Sequence, residues 1–110
     1  MKLHIYDFDG TLFRTPSKPE WWKKEIKTDW WSDPRSLSYP CIPDHPGSEW
    51  WNTSVVSSAK KSISDPNVFA LLVTGRVDRP FRWILPTLLK QAGLDFDKLY
   101  LCTPGMQTLN

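Results

Sequence analysis

Val68-Phe69-Ala70-Leu71-Leu72-Val73 is an unbroken apolar run that ends at Thr74-Gly75-Arg76. Its length suits a strand, and the absence of alternation predicts a strand covered on both faces of a parallel sheet. A parallel neighbour requires a crossover, so this run commits the chain to an α/β fold. A second strand is legible at Lys2-Leu3-His4-Ile5-Tyr6, where Leu3, Ile5 and the following Phe8 supply apolar character. It stops where Gly10 can adopt a backbone conformation closed to other residues. Asp7 and Asp9 have the period-two spacing that puts alternate side chains on one face, so both carboxylates can converge on one cation or phosphate. Two carboxylates that close repel each other unless a divalent cation lies between them, and hard oxygen ligands favour Mg²⁺. A plain turn or a calcium loop would also use Asp-x-Asp-Gly; Leu12 and Phe13 do not supply the further oxygen ligands of a calcium loop.

Helical patterns connect the strands. Val55, Val56, Ala59 and Ile63 share one face, Asn52, Thr53 or Ser54 can cap the start, and Asp65-Pro66 ends the segment. After Arg76, Asp78 is a candidate cap. Phe81, Ile84, Leu85, Leu88, Leu89 and Ala92 then form a stripe closed by Gly93, with a kink expected at Pro86. A third strand is expected over Lys98 to Cys102, ending at Thr103-Pro104-Gly105. Right-handed crossovers then give a three-layer α/β sheet of about three core strands, with the reactive groups at its carboxyl edge.

Six of the 7 tryptophans fall between Thr15 and Trp51, as Trp21-Trp22, Trp30-Trp31 and Trp50-Trp51, among Pro16, Pro19, Pro34, Pro40, Pro43 and Pro46. Proline removes donors and fixes φ, so this stretch predicts an irregular flap over the site rather than regular helix or sheet. Its rings either pack the flap onto the sheet or stack on a nucleobase. The expected organisation is one domain over 1–110: strand and catalytic loop at 1–14, cap insertion at 15–51, and a helix-strand-helix-strand core at 52–110.

Asp7-Phe8-Asp9-Gly10-Thr11 after an apolar strand resembles the first motif of the haloacid dehalogenase (HAD) superfamily of phosphohydrolases. The resemblance implies that Asp7 is the nucleophile that takes the phosphoryl group and Asp9 the general acid and then base. Mg²⁺ would be held by the Asp7 carboxylate and the Asp9 main-chain carbonyl, and Gly10 and Thr11 would belong to the phosphate loop. By the same resemblance Thr74 ends the second strand with a hydroxyl for the transferring phosphoryl group, and Gly75 lets the loop approach it. A capping hydroxyl is the other reading of Thr74. Arg76 offers a forked cation for phosphate, or else pairs with a carboxylate or faces solvent.

A closer resemblance rests on Phe13-Arg14-Thr15-Pro16, Trp30-Trp31-Ser32-Asp33-Pro34 with Leu37, Trp50-Trp51-Asn52, Leu72-Val73-Thr74-Gly75-Arg76 and Leu94-Asp95-Phe96-Asp97. In this order they look like the phosphatase-type domain of the Swiss Army Knife RNA repair proteins. That implies action on phosphate at RNA ends, a nucleic-acid 3′-phosphate included, with Arg14, Trp30, Trp31, Trp50 and Trp51 on the substrate side of the flap. A nucleotide or other phosphorylated small molecule is the competing substrate.

The superfamily pattern continues with a lysine and a pair of acidic residues in third and fourth motifs. The sequence runs to Thr108-Leu109-Asn110 without them; Lys90 and Lys98 read as surface, and Asp95 and Asp97 precede the third strand. The expectation is a truncated or partial unit whose site a partner chain or a natural C-terminal extension completes. A catalytically incomplete fragment or a binding module that holds a phosphate or nucleic-acid ligand without turnover is the alternative.

A net charge of +2 with no basic run beyond two residues does not by itself predict nucleic-acid binding. Cys41 and Cys102 form no disulfide framework or zinc spacing, and His4 and His45 read as a packed strand histidine and an exposed loop one. No apolar run approaches membrane-spanning length and no signal peptide is read, so a reduced cytoplasmic setting without a membrane partner is expected.

Overall fold

In a computed structural model that describes residues 1–25 and 29–102, with backbone alone for 23–25, the expected strands form one parallel sheet. The order along the chain is β1 (Lys2–Tyr6), α1 (Glu20–Glu25), three short 3₁₀ turns, α2 (Thr53–Ser64), β2 (Val68–Val77), α3 (Asp78–Gln91) and β3 (Lys98–Cys102). β2 is central, with Lys2 to Tyr6 of β1 in register with Val68 to Leu72, and Leu71 to Val73 in register with Lys98 to Tyr100. This is the α/β architecture the apolar runs imply. Thr103-Pro104-Gly105 lie outside the described residues.

Each helix is bounded by the chemistry its ends supply. The Asn52 side chain accepts from the Val55 N–H, and Asp65 closes α2. At the end of α3, Gly93 has φ +74°, its N–H reaches the Lys90 carbonyl, and the Leu94 N–H reaches Leu89. That pairing closes the helix end and tucks Leu94 into the core. Two details of α3 differ from expectation. Asp78 does not cap the helix; it pairs with Arg82, one turn on, at 2.9 Å. The non-helical backbone lies at Arg79 (φ −104°, ψ 128°) and the helix runs through Pro86. Asp78 and Arg79 thus form a bent lead-in, and the apolar stripe packs from Phe81 onward.

Both crossover helices lie on the same face of the sheet. Ser62 of α2 hydrogen-bonds His4 Nδ1 at 2.6 Å and the Tyr6 hydroxyl at 2.9 Å, while Leu72, which shares that face with Tyr6, is buried with Leu85, Leu88 and Leu89 of α3. On the opposite face, Leu3, Ile5, Phe69, Val73 and Tyr100 are each more than a third exposed. Along β2, Phe69 and Val73 are thus exposed where coverage of both faces was expected, although Leu71 between them is buried, because the two helices form a single layer.

The insertion supplies part of the core. Leu37, Ile42 and Trp51 are buried with Phe8, Leu12 and Phe13 of the loop after β1 and with α3. Its 3₁₀ turns at Trp30–Ser32, Pro34–Leu37 and Ser48–Trp50 fit its prolines, but Glu20–Glu25 forms a six-residue α-helix where irregular chain was expected, in a stretch that follows Pro19 and has no proline before Pro34. Burial pushes the Cys41 thiol above its ordinary range. Among the described residues no helix is long and apolar enough to cross a membrane.

Candidate active site

The carboxyl ends of β1 and β2 lie side by side, and both end irregularly. After Tyr6 the chain turns tightly: the Phe8 carbonyl accepts from the N–H groups of Thr11, Leu12 and Phe13, and Gly10 N–H closes on the Phe13 carbonyl at 2.8 Å. Gly10 sits at φ +74° with open space where a Cβ would lie, so its requirement is conformational. Gly10→Ala should cost about 1 kcal/mol of stability by urea denaturation; a neutral result would contradict the left-handed turn. Beside it, β2 continues to Val77, but its register with β3 shifts between Val73 and Val77. Thr74, Gly75 and Arg76 lie in that shifted stretch, and such irregularities re-aim side chains at a sheet edge.

Asp7, Asp9, Gly10, Thr74, Gly75 and Arg76 consequently line one cleft of about 450 Å³, together with Thr15 and Trp31. Asp7 is exposed to it, with its Oδ1 accepting from the Phe8 N–H at 2.8 Å. Thr74 is 6% exposed, and its Oγ1 accepts from the Arg76 N–H at 3.2 Å, which leaves the hydroxyl proton free to donate. Larger clefts of about 640 and 520 Å³ lie elsewhere, one against α2 and one beside the α3 carboxyl end. Neither is lined by a pair of carboxylates, so size does not locate the chemistry here.

The Asp9 carboxylate is held from two sides. Arg76 Nη2 donates to Asp9 Oδ1 at 2.7 Å and Arg76 Nε to Oδ2 at 2.9 Å, while Thr15 Oγ1 donates to Oδ1 at 2.5 Å. Of the readings open to Arg76 in the sequence, its geometry is that of a carboxylate partner, and its fork is directed at Asp9 rather than toward a phosphate in the cleft. With Asp9 so engaged, Asp7 is the carboxylate that remains open.

Among the described residues no three or more His, Cys, Asp or Glu side chains gather as a metal site. The donor set nevertheless suits Mg²⁺, which keeps several waters and uses one or two carboxylates with substrate phosphate.

The tryptophan pairs divide, ring from ring. Trp30 is 1% exposed, edge-on to Trp22 at 5.0 Å, with Nε1 donating to the Pro16 carbonyl. Trp51 is buried edge-on against Phe13 at 4.9 Å, and Trp50 lies over Phe13 at 6.0 Å. Trp31 is 44% exposed, and of these four rings it is the one that lines the cleft. Arg14 is exposed and its N–H bonds the Trp50 carbonyl; neither it nor Thr11 lines the cleft. Thr15 and Ser36, which complete the surroundings of Asp9 and Arg76, carry no local sequence signal beyond being hydroxyls near a predicted flap.

Residues 14–109 match the model of HAD domain family 1 in Swiss Army Knife RNA repair proteins. The match takes in Thr74-Gly75-Arg76 and most of the insertion; the Asp7 to Thr11 tract lies just before it. Over 104 residues the chain is 31% identical to the uncharacterized protein YMR265C of Saccharomyces cerevisiae, an alignment that covers 83% of this chain and 23% of that one. The chain thus spans about a quarter of that relative's length. No solved structure matches it.

Proposed function

We propose, for a chain that belongs to HAD domain family 1 of the Swiss Army Knife RNA repair proteins, that the cleft hydrolyses phosphomonoesters through Asp7. The observation that carries this reading is the convergence of Asp7, Asp9 and Thr74 on one cleft from two adjacent strand ends. Asp7 Oδ attacks phosphorus in line, forming an aspartyl-phosphate as the ester P–O bond breaks. Asp9 delivers a proton to the departing alkoxide, then takes one from the water that attacks phosphorus, returning Asp7 and releasing inorganic phosphate. The Thr74 hydroxyl donates to a non-bridging phosphoryl oxygen. Mg²⁺ would be held by the Asp7 carboxylate and the Asp9 carbonyl and would supply charge neutralisation for the phosphoryl oxygens.

The substrate class we infer is a phosphorylated nucleic-acid end, with RNA favoured by the family. Trp31, half exposed at the cleft wall and backed by the Arg76 guanidinium 5.3 Å from its ring, offers a flat surface for a base next to the scissile phosphate. Stacking on one aromatic ring contributes about 1–3 kcal/mol. Phosphate release from a 3′-phosphorylated oligoribonucleotide and from an alkyl phosphate, each with and without Mg²⁺, tests both parts. Trp31→Ala should raise KM for the oligonucleotide by about 5- to 150-fold and leave the alkyl phosphate within about 2-fold. An equal effect on both esters contradicts the stacking role. No Mg²⁺-dependent release from any phosphomonoester contradicts the hydrolase and favours a module that binds without turnover.

A further inference from the structure

Arg76 is 2% exposed, yet every part of its guanidinium has a partner from a different part of the chain. The Nε and Nη2 side forks onto Asp9. On the other side Nη1 donates to Ser36 Oγ at 2.7 Å and to the Trp31 carbonyl at 3.4 Å. The ring of Phe81, at the start of the packed part of α3, lies 4.6 Å from the guanidinium carbon, and Trp31 lies 5.3 Å from it. Ser36 is fully buried, and its own hydroxyl proton goes to the Asp33 carbonyl at 2.8 Å, so its oxygen is oriented to accept from Arg76. Thr15, at the start of the insertion, holds the same Asp9 carboxylate directly. The insertion therefore reaches Asp9 twice, once through Thr15 and once through Ser36 and Arg76.

We infer that Arg76 is a positioning residue that makes the orientation of the Asp9 carboxylate depend on the seating of the tryptophan-rich insertion; the catalytic part of this inference rests on the hydrolase reading above. When the insertion is seated, Ser36 and the Trp31 carbonyl fix one edge of the guanidinium plane, and the opposite edge aims Asp9 at the cleft. Without the Ser36 hydroxyl, that edge loses one of its two partners. The acid of the proposed phosphoryl transfer is thus oriented by contacts that the insertion supplies. Lysine cannot reproduce the arrangement, because a point charge cannot bridge both Asp9 oxygens and Ser36 in one plane.

The test compares kcat/KM for an aryl phosphate, whose leaving group needs little protonation, with that for an alkyl phosphate, whose leaving group needs it. Ser36→Ala is expected to lower the alkyl value about 10-fold and Arg76→Lys about 100-fold, with the aryl value within about 3-fold in both. Equal losses on both esters, or a rise in KM for both with kcat unchanged, overturn the positioning role and return Arg76 to packing or phosphate binding. The linkage is read without turnover by amide hydrogen exchange. In folded Ser36→Ala, protection should fall together across 30–37 and across 8–13, whereas a change confined to 30–37 overturns the linkage. Absence of Asp7-dependent turnover in the unsubstituted chain overturns the hydrolase reading and the catalytic half of the inference, and the exchange data then decide the linkage alone.

Discussion

Asp7→Asn is expected to lower phosphomonoester turnover by about 10³-fold or more while leaving stability within about 0.5 kcal/mol of the unsubstituted chain. The amide keeps the shape of the side chain and can still accept from the Phe8 N–H, so the tight turn survives. The nucleophilic oxygen and its charge are lost. Asp9→Asn should behave differently. It leaves the nucleophile in place, so phosphoryl transfer from an aryl ester still loads Asp7, but the base for the second step is gone and phosphoenzyme accumulates. It also leaves Arg76, almost fully buried, without the carboxylate that balances its charge, at a cost of about 3 kcal/mol. Rapid-quench kinetics and urea denaturation of the two variants separate these outcomes. Comparable losses of stability in both would contradict the assignment of Arg76 to Asp9.

Trp51→Ala should be among the most damaging single changes to the fold, costing about 3–5 kcal/mol. Trp51 is 6% exposed, meets Phe13 and Phe8 edge-on at 4.9 and 6.0 Å, and pairs with Phe13 through its backbone. Phe8 and Phe13 are the two ends of the tight turn after β1, so a cavity there loosens both the attachment of the insertion and the loop that carries Asp9. A domain of this size has roughly 5–15 kcal/mol of stability in all, so the loss should move the urea midpoint far. Trp31→Ala, by contrast, removes a half-exposed ring and one cation–π contact, worth about 1 kcal/mol. Similar midpoints for the two variants would contradict the division of the tryptophans into packing and cleft-lining rings.

That division marks where the sequence stopped being informative. Trp30 and Trp31 are adjacent and chemically identical, and what separates them is the 3₁₀ turn at Trp30–Ser32, which sends one ring toward Trp22 and the other to the cleft. The three strands, a cap among residues 52–54 and the Gly93 terminus were legible because each depends on a few neighbouring residues with a fixed chemical preference. The convergence of Asp7 and Asp9 with Thr74 was legible because parallel strands bring their carboxyl ends to one edge. Arg76 was not. Its partners Asp9 and Ser36 lie 67 and 40 residues away, and no local pattern says which of three open roles a single arginine takes. The open face of the sheet was hidden for a related reason. Phe69 and Val73 are as apolar as a doubly covered strand requires, and only the placement of both crossover helices on one side leaves them exposed.

The proposed hydrolysis requires an Asp7 carboxylate oxygen to receive the phosphoryl group. The direct measurement is to mix the chain with an aryl phosphate and Mg²⁺, quench in acid within one turnover, reduce any acyl phosphate with borohydride, and map the product by peptide mass spectrometry. Homoserine is expected at position 7, with more of it in Asp9→Asn because the second step is slowed. Turnover without reduction at position 7, or reduction at another carboxylate, would contradict hydrolysis through Asp7.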